Sequence, residues 1–187
     1  MIILAILYAL LSSFFHASHV VLLTPILKQG ISPRIAALYT LTVGTLITGV
    51  ASFITLPFLY ILLTSPFLPI LLLLFSGLLG QGLARTANYY SIKFIGPAKG
   101  NLLVNTAPLF ALPIAFTILS ETLSINKIIG AILLMTAITL TSKEARKVKG
   151  EEHTTGGTSR SGILLGILAA ILYAIARILR KIVINFL

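Results

Sequence analysis

The chain has 187 residues, of which 57% are apolar and 10% charged, where a soluble domain carries about 25% charge. A mean hydropathy of +1.06 and uncharged runs of 27 residues (Met1 to Leu27) and 50 residues (Ile35 to Ala84) exceed what a small water-soluble core can bury. A soluble globular protein is excluded, and the sequence reads as an all-α polytopic membrane protein.

Fourteen Lys and Arg stand against four Glu and no Asp, a net charge of +10. On a membrane protein this balance speaks to topology and to anionic ligands. The aromatic-interleaved basic patches of nucleic-acid binders are missing, so membrane lipid is an expected partner and nucleic acid is not. Without Asp there is no carboxylate cluster to hold Mg2+, and without Cys no thiolate or disulfide. Neither a cofactor nor enzyme activity is expected.

Spanning a hydrocarbon core of ~30 Å takes about 20 helical residues, and Pro, Gly and charge divide the chain into six such spans. The first covers Ile2 to Leu27. With no basic leader or cleavage site before it, it reads as a retained helix. A loop over Lys28 to Arg34 leads to a second span, Ile35 to Leu56, and Pro57, Thr64, Ser65, Pro66 and Pro69 break the long uncharged run. The third span, Phe67 to Phe94, closes at Gly96 and Pro97, and the fourth runs from Ala98 to Leu119. A fifth covers Leu123 to Ser142. Residues 143–161 are rich in Lys, Glu, Gly, Thr and Ser and read as a flexible linker. The sixth span is Gly162 to Ile184, within a last segment of residues 162–187.

An offset of 165 residues lays Ala5, Ile6, Leu7, Tyr8 and Ala9 on the identical Ala170, Ile171, Leu172, Tyr173 and Ala174, and His16 on Lys181. Two explanations are open: coincidence among Leu, Ile and Ala, or a second repeat that has begun. A first unit over residues 1–142 has five spans, an odd number, so a second unit would enter the membrane inverted. The chain ends at Leu187 without a polar tail, and is expected to be truncated after the first helix of that second repeat.

The segment from Gly77 to Ser142, beginning GLLGQGLARTANYYSIKFIGPAKGNLLVNTAPLF, resembles the EamA-type members of the drug/metabolite transporter superfamily. The resemblance rests on a Gly-rich third helix, a short turn, a fourth helix with an internal proline (Pro108), an acid just past its end (Glu121) and a glycine early in the fifth helix (Gly130). It implies two five-helix repeats and the export or exchange of small metabolites. It also implies a cytoplasmic N-terminus. The charge count argues the reverse: Lys28, Arg34, Lys93, Lys99 and the linker cations lie on one side and Lys127 on the other, which places the linker inside and the N-terminus outside.

Polar residues inside a membrane are costly, so each is a functional candidate. Gln81, Arg85 and Asn88 recur at i, i+4 and i+7, the spacing of one helical face, and Asn101, Asn105 and Pro108 do the same. Arg85 lies 11 residues before Gly96 and Asn105 lies 8 after Pro97, which at ~1.5 Å per residue is about 16 Å and 12 Å deep. His16 reaches a similar depth from the same side. Arg85 is either a binding cation, with Lys93 and Lys99 as a funnel above it, or a structural one held by Asn88, Asn105 and backbone carbonyls. Asn101 and Asn105 are either substrate contacts or packing glue. His16 and His19, an i, i+3 pair, lack a third ligand and suit hydrogen bonding or proton exchange better than a metal. Glu121 reads as a cap of the fifth helix or a partner of Lys127, and Tyr89 and Tyr90 as interfacial or cavity-lining aromatics.

The candidate substrate-binding residues are therefore Arg85, Gln81, Asn88, Asn105, Asn101 and His16. The expected function is secondary transport of a small anionic or zwitterionic metabolite across the cell membrane, by alternating access around a midplane site. An accessory or assembly subunit that pairs with a separate half is the alternative, and a homo-oligomer or such a partner half is the expected assembly.

Overall fold

The computed structural model describes residues 2–55, 66–119, 125, 129–133, 135–137, 140 and 159–186. The expected breakers Pro57, Thr64 and Ser65, the Glu121–Lys127 pair, most of the fifth span and nearly all of the linker lie outside them. Helix α1 covers Ile2–Lys28 and α2 covers Pro33–Thr55. The third span is α3 (Phe67–Gly77), a π-helical segment (Leu78–Ala84) and α4 (Arg85–Ile95) in one run. The fourth is α5 (Pro97–Val104) and α6 (Ala107–Leu119), and the last described helix is α7 (Arg160–Phe186). Among the described residues there is no strand, and five helices are long and apolar enough to cross a membrane.

Helices are what a dry bilayer core demands, because every backbone N–H must find its carbonyl within the segment. The hydroxyls obey the same rule. Ser13, Ser18, Thr24, Thr40, Thr86 and Thr117 each donate to the carbonyl four residues back, at 2.8 to 2.9 Å, which hides them from lipid.

The core is arranged around α7, which packs along α3, the π segment, α4, α5 and α6. Its inner face carries a small residue every fourth position, Gly162, Gly166, Ala170 and Ala174, all buried. Small side chains let membrane helices approach closely and gain dispersion contacts. The fit leaves no slack. A Cβ on Gly162 would lie 2.6 Å from Ile95 Cγ2, and one on Gly166 2.6 Å from Leu103 Cδ1 and 2.9 Å from Ser91 Oγ. The N-terminal half of α1 has no such arrangement: Leu4, Ile6, Leu7, Tyr8, Phe14 and Phe15 are all exposed. Only its lower half is packed, through Val20, Leu23 and Leu27 against Ala36, Ala37, Tyr89 and Ile92.

The turn between the third and fourth spans falls where the sequence places it. Gly96 has φ +85 and ψ 162, a conformation essentially reserved for glycine, and Pro97 opens α5 at a position whose N–H needs no partner. Gly100 then allows the hairpin to close, since a Cβ there would meet Ile92 backbone nitrogen at 3.0 Å.

Candidate functional site

Two irregularities position the polar residues. The first is the π segment in the middle of the third span. Its i→i+5 turns are wider than those of an α-helix, so the face that a 3.6-residue period assigns to Gln81 and Arg85 does not carry through it. Gln81 is half-buried within the segment and Arg85 is the first residue of α4 beyond it. Gly80, inside the segment, lies under α7: a Cβ there would be 3.0 Å from Ala176 Cβ and 3.1 Å from an Arg180 guanidinium nitrogen.

The second is the interruption of the fourth span at Asn105 and Thr106, between α5 and α6. Pro108 has no N–H to give the Val104 carbonyl, so the helix loses its bond four residues before the proline and breaks there. Thr106 closes the gap locally, donating from its Oγ1 to the Leu103 carbonyl at 2.6 Å while its own carbonyl accepts from Leu109 N–H at 2.9 Å. Asn105 is exposed at this break and Asn101 is half-buried one turn earlier.

Between the two irregularities, side chains from three helices, α1, α2 and α7, converge on α4. Arg85 is half-buried. Its guanidinium lies within electrostatic reach of the Tyr173 hydroxyl of α7, of His19 of α1 and of Tyr89. Tyr89, 2% exposed, begins a chain of hydroxyls whose direction can be worked out. Thr40 Oγ1 gives its proton to the Ala36 carbonyl at 2.8 Å and so accepts from Tyr89 Oη at 3.3 Å. The Tyr89 proton being committed, His19 Nε2 at 3.3 Å from Tyr89 Oη must be the donor there. In the neutral ring this puts the proton on Nε2 and leaves Nδ1 as an acceptor. Both 3.3 Å contacts are long for hydrogen bonds, so they orient the ring rather than clamp it.

Asn88, one turn beyond Arg85, is 5% exposed, and its Oδ1 has no hydrogen-bond partner. Leaving a buried acceptor unpaired costs about 1–3 kcal/mol. Ser91 Oγ is unpaired as well, but it is enclosed by the close approach of Gly166 and offers no room. The region thus combines a cation, a phenol and an imidazole in mutual reach with a buried, unsatisfied amide oxygen one turn along α4, all from membrane-spanning segments. It can hold an anionic group on Arg85 and a hydrogen-bond donor on Asn88.

Of the six residues chosen from sequence, Arg85 belongs to this centre, Asn88 is buried one turn along the same helix, and Gln81 lies on the same span. His16 is exposed on α1, and His19, three residues on, is the histidine that meets Tyr89. Asn101 and Asn105 border the helix break. Lys93 is exposed and Lys99 half-buried near the Gly96 turn. Sequence reasoning did not pick out Thr40 or Tyr173, and read Tyr89 as a generic aromatic. It also passed over Arg180, whose Nε donates to buried Ser76 Oγ at 2.9 Å, while Ser76 donates to the Ala176 carbonyl at 3.1 Å. A cation in an otherwise apolar span was the available signal for that contact.

Residues 3–143 match the EamA-like transporter family, a stretch that begins in α1 and contains every residue of the polar centre except Tyr173. No curated protein and no solved structure is detectably similar to the chain. The match spans well over half of the 187 residues, ends before α7 and coincides with helices long and apolar enough to span a membrane: the protein is an integral, multi-pass member of the EamA-like transporter family.

Proposed function

We propose that the chain serves secondary transport of a small anionic or zwitterionic metabolite across the plasma membrane, with Arg85 as the group that binds its negative charge. The observation that carries this reading is the setting of Arg85. It lies about 16 Å from the Gly96 turn at ~1.5 Å per residue, near the midplane, where a cation costs at least ~2.5–3.5 kcal/mol. Among the described residues there is no Asp or Glu to offset that cost. Its companions, Tyr173, Tyr89, His19 and Asn88, are neutral, so an anion completes the site. Asn88 Oδ1 and His19 Nδ1 add acceptors for a protonated amine or hydroxyl on the same ligand. Gln81, Asn101, Asn105 and His16 complete the proposed set of polar substrate contacts. Helix discontinuities at the π segment and at Asn105–Thr106 fit a site built where membrane helices are broken, and alternating access would expose it to each side in turn.

The repeated pentapeptide supports an assembly in which α1 takes the place against a second repeat, from a partner half or another copy, that α7 takes against the first.

The test is uptake and efflux of radiolabelled carboxylated and phosphorylated metabolites in cells producing the wild type or Arg85→Gln. The reading expects at least one anion to be moved by the wild type and not by the variant at equal membrane abundance. Transport unchanged by Arg85→Gln would remove Arg85 from the site.

A further inference from the structure

Of the two histidines on α1, His16 is exposed and His19 is half-buried against α4. His19 Nε2 is 3.3 Å from Tyr89 Oη, the two rings lie 6.2 Å apart at 35°, and Tyr89 Oη is 3.3 Å from Thr40 Oγ1 of α2. Because Thr40 is committed to the Ala36 carbonyl at 2.8 Å, this chain holds the Nε2 proton in place. Nδ1 is then the ring atom that takes up or gives away a second proton. Arg85 stands one turn before Tyr89 on the same face of α4, at i and i+4, and its charge reaches His19.

The other ionisable groups around the ring come from each neighbouring helix. On α1, His16 lies three residues before His19, and Lys28 lies nine residues after it, about 14 Å away at ~1.5 Å per residue. Helix α2 carries Arg34 and Tyr39, both exposed, and α5 carries Lys99 near the Gly96 turn. Helix α7 brings Tyr173 within electrostatic reach of Arg85, with Arg177 one turn further on. Every fixed charge in this set is positive, and no Asp or Glu occurs among the described residues. A proton on Nδ1 and an anion on Arg85 have opposite signs and share one face of α4, in a membrane interior that screens charge poorly. Each therefore strengthens the binding of the other, and by the same factor. A ligand with one negative charge cancels that of Arg85. A second negative charge is balanced by the proton itself.

We infer that His19 is the proton-binding residue of the anion site: one proton joins Nδ1 when an anion settles on Arg85, and the two cross the membrane together. The proton comes from water on the loading side and returns to water on the other, so nothing is oxidised or reduced. This rests on Arg85 as the anion-binding group.

Equilibrium binding of radiolabelled sulfate and lactate to the purified full chain in detergent, between about pH 5 and 8, reads the coupling, because neither probe changes its charge in that range. Binding is expected to be at least ~5-fold tighter at the acid end, the lower end of ordinary coupling factors, with the larger factor for sulfate. His19→Gln keeps a donor for Tyr89 but binds no proton, so the alkaline affinity should persist and the pH dependence disappear. His16→Gln should leave the pH dependence intact. Circular dichroism melts confirm that each variant is folded. Nitrogen-15 NMR of the ligand-free protein separates this coupling from anion binding itself. His19, assigned through His19→Gln, should bind its proton at least ~3-fold more tightly in Arg85→Gln than in the wild type. Anion binding independent of pH, pH dependence that survives folded His19→Gln, or a His19 titration indifferent to Arg85→Gln would each overturn the inference. Absence of binding by either probe at every pH, or binding unaffected by Arg85→Gln, counts against Arg85 as the anion-binding group, and the NMR comparison then decides the His19 coupling.

Discussion

The same five residues, Ala-Ile-Leu-Tyr-Ala, occur in α1 and in α7, and they meet different fates. In α1, Tyr8 is 64% exposed and Ile6, Leu7 and Ala9 stand open beside it. In α7, Ala170 and Ala174 are fully buried, and Tyr173 turns its hydroxyl to Arg85. Local sequence is identical, so the difference comes from what each helix faces. Around the pentapeptide of α7 the stripe continues with Gly162 and Gly166, and the third span answers it with Ser76, Gly80 and Ser91. A membrane helix thus carries a packing face in its sequence, but only a complementary neighbour converts that face into burial.

The comparison is broken most severely by a large side chain in the α7 stripe. Gly166→Leu must displace Leu103 and Ser91 and is expected to destabilise the fold by about 1–3 kcal/mol or more. Ala9→Leu, on the exposed face of α1, should change stability by less than about 0.5 kcal/mol. Circular dichroism melts and gel-filtration profiles of the two purified variants in detergent check this, and equal shifts would erase the distinction between the helices. A smaller effect should follow from removing one hydroxyl. Tyr173→Phe takes away a hydroxyl dipole beside the Arg85 charge and should weaken anion binding several-fold with the melt little changed. Tyr8→Phe, at the matching position of α1, should do nothing measurable in either assay.

The smallest expected effect lies at the contact of α1 with α4. Tyr89→Phe cuts the path from His19 to Thr40, and polar contacts of this kind in membranes average about 0.6 kcal/mol. Its clearer signature is spectroscopic. Nitrogen-15 NMR of the histidines should show His19 protonated on Nε2 in the wild type and mixed between tautomers in Tyr89→Phe. An Nδ1-protonated ring in the wild type would contradict the direction assigned to the hydroxyl chain.

Hydropathy made the spans legible because a bilayer allows few alternatives to a long apolar helix. The Gly96–Pro97 turn was legible for a similar reason, since glycine and proline there each satisfy a backbone requirement that few other residues can. The finer features were less so. Pro108 announced a break, but the break lies at Asn105 and Thr106 because a missing N–H is felt at the carbonyl four residues earlier. The π segment has no periodic signature of its own, and it shifted the register on which the Gln81–Arg85 face was built. Arg85 stood out by its cost in the membrane. His19 could not be preferred to His16 from spacing alone, because the choice depends on which way α1 is turned toward Tyr89. Tyr173 was hidden for the same reason, being a contact between segments 88 residues apart in sequence.

The central claim is that the half-buried cation of α4 is completed by an anionic ligand. Equilibrium binding of a panel of radiolabelled carboxylated and phosphorylated metabolites to the purified protein, compared with folded Arg85→Gln, tests it most directly. The account predicts saturable binding of at least one anion by the wild type, weakened at least tenfold in the variant. Equal affinity in the two proteins would contradict it.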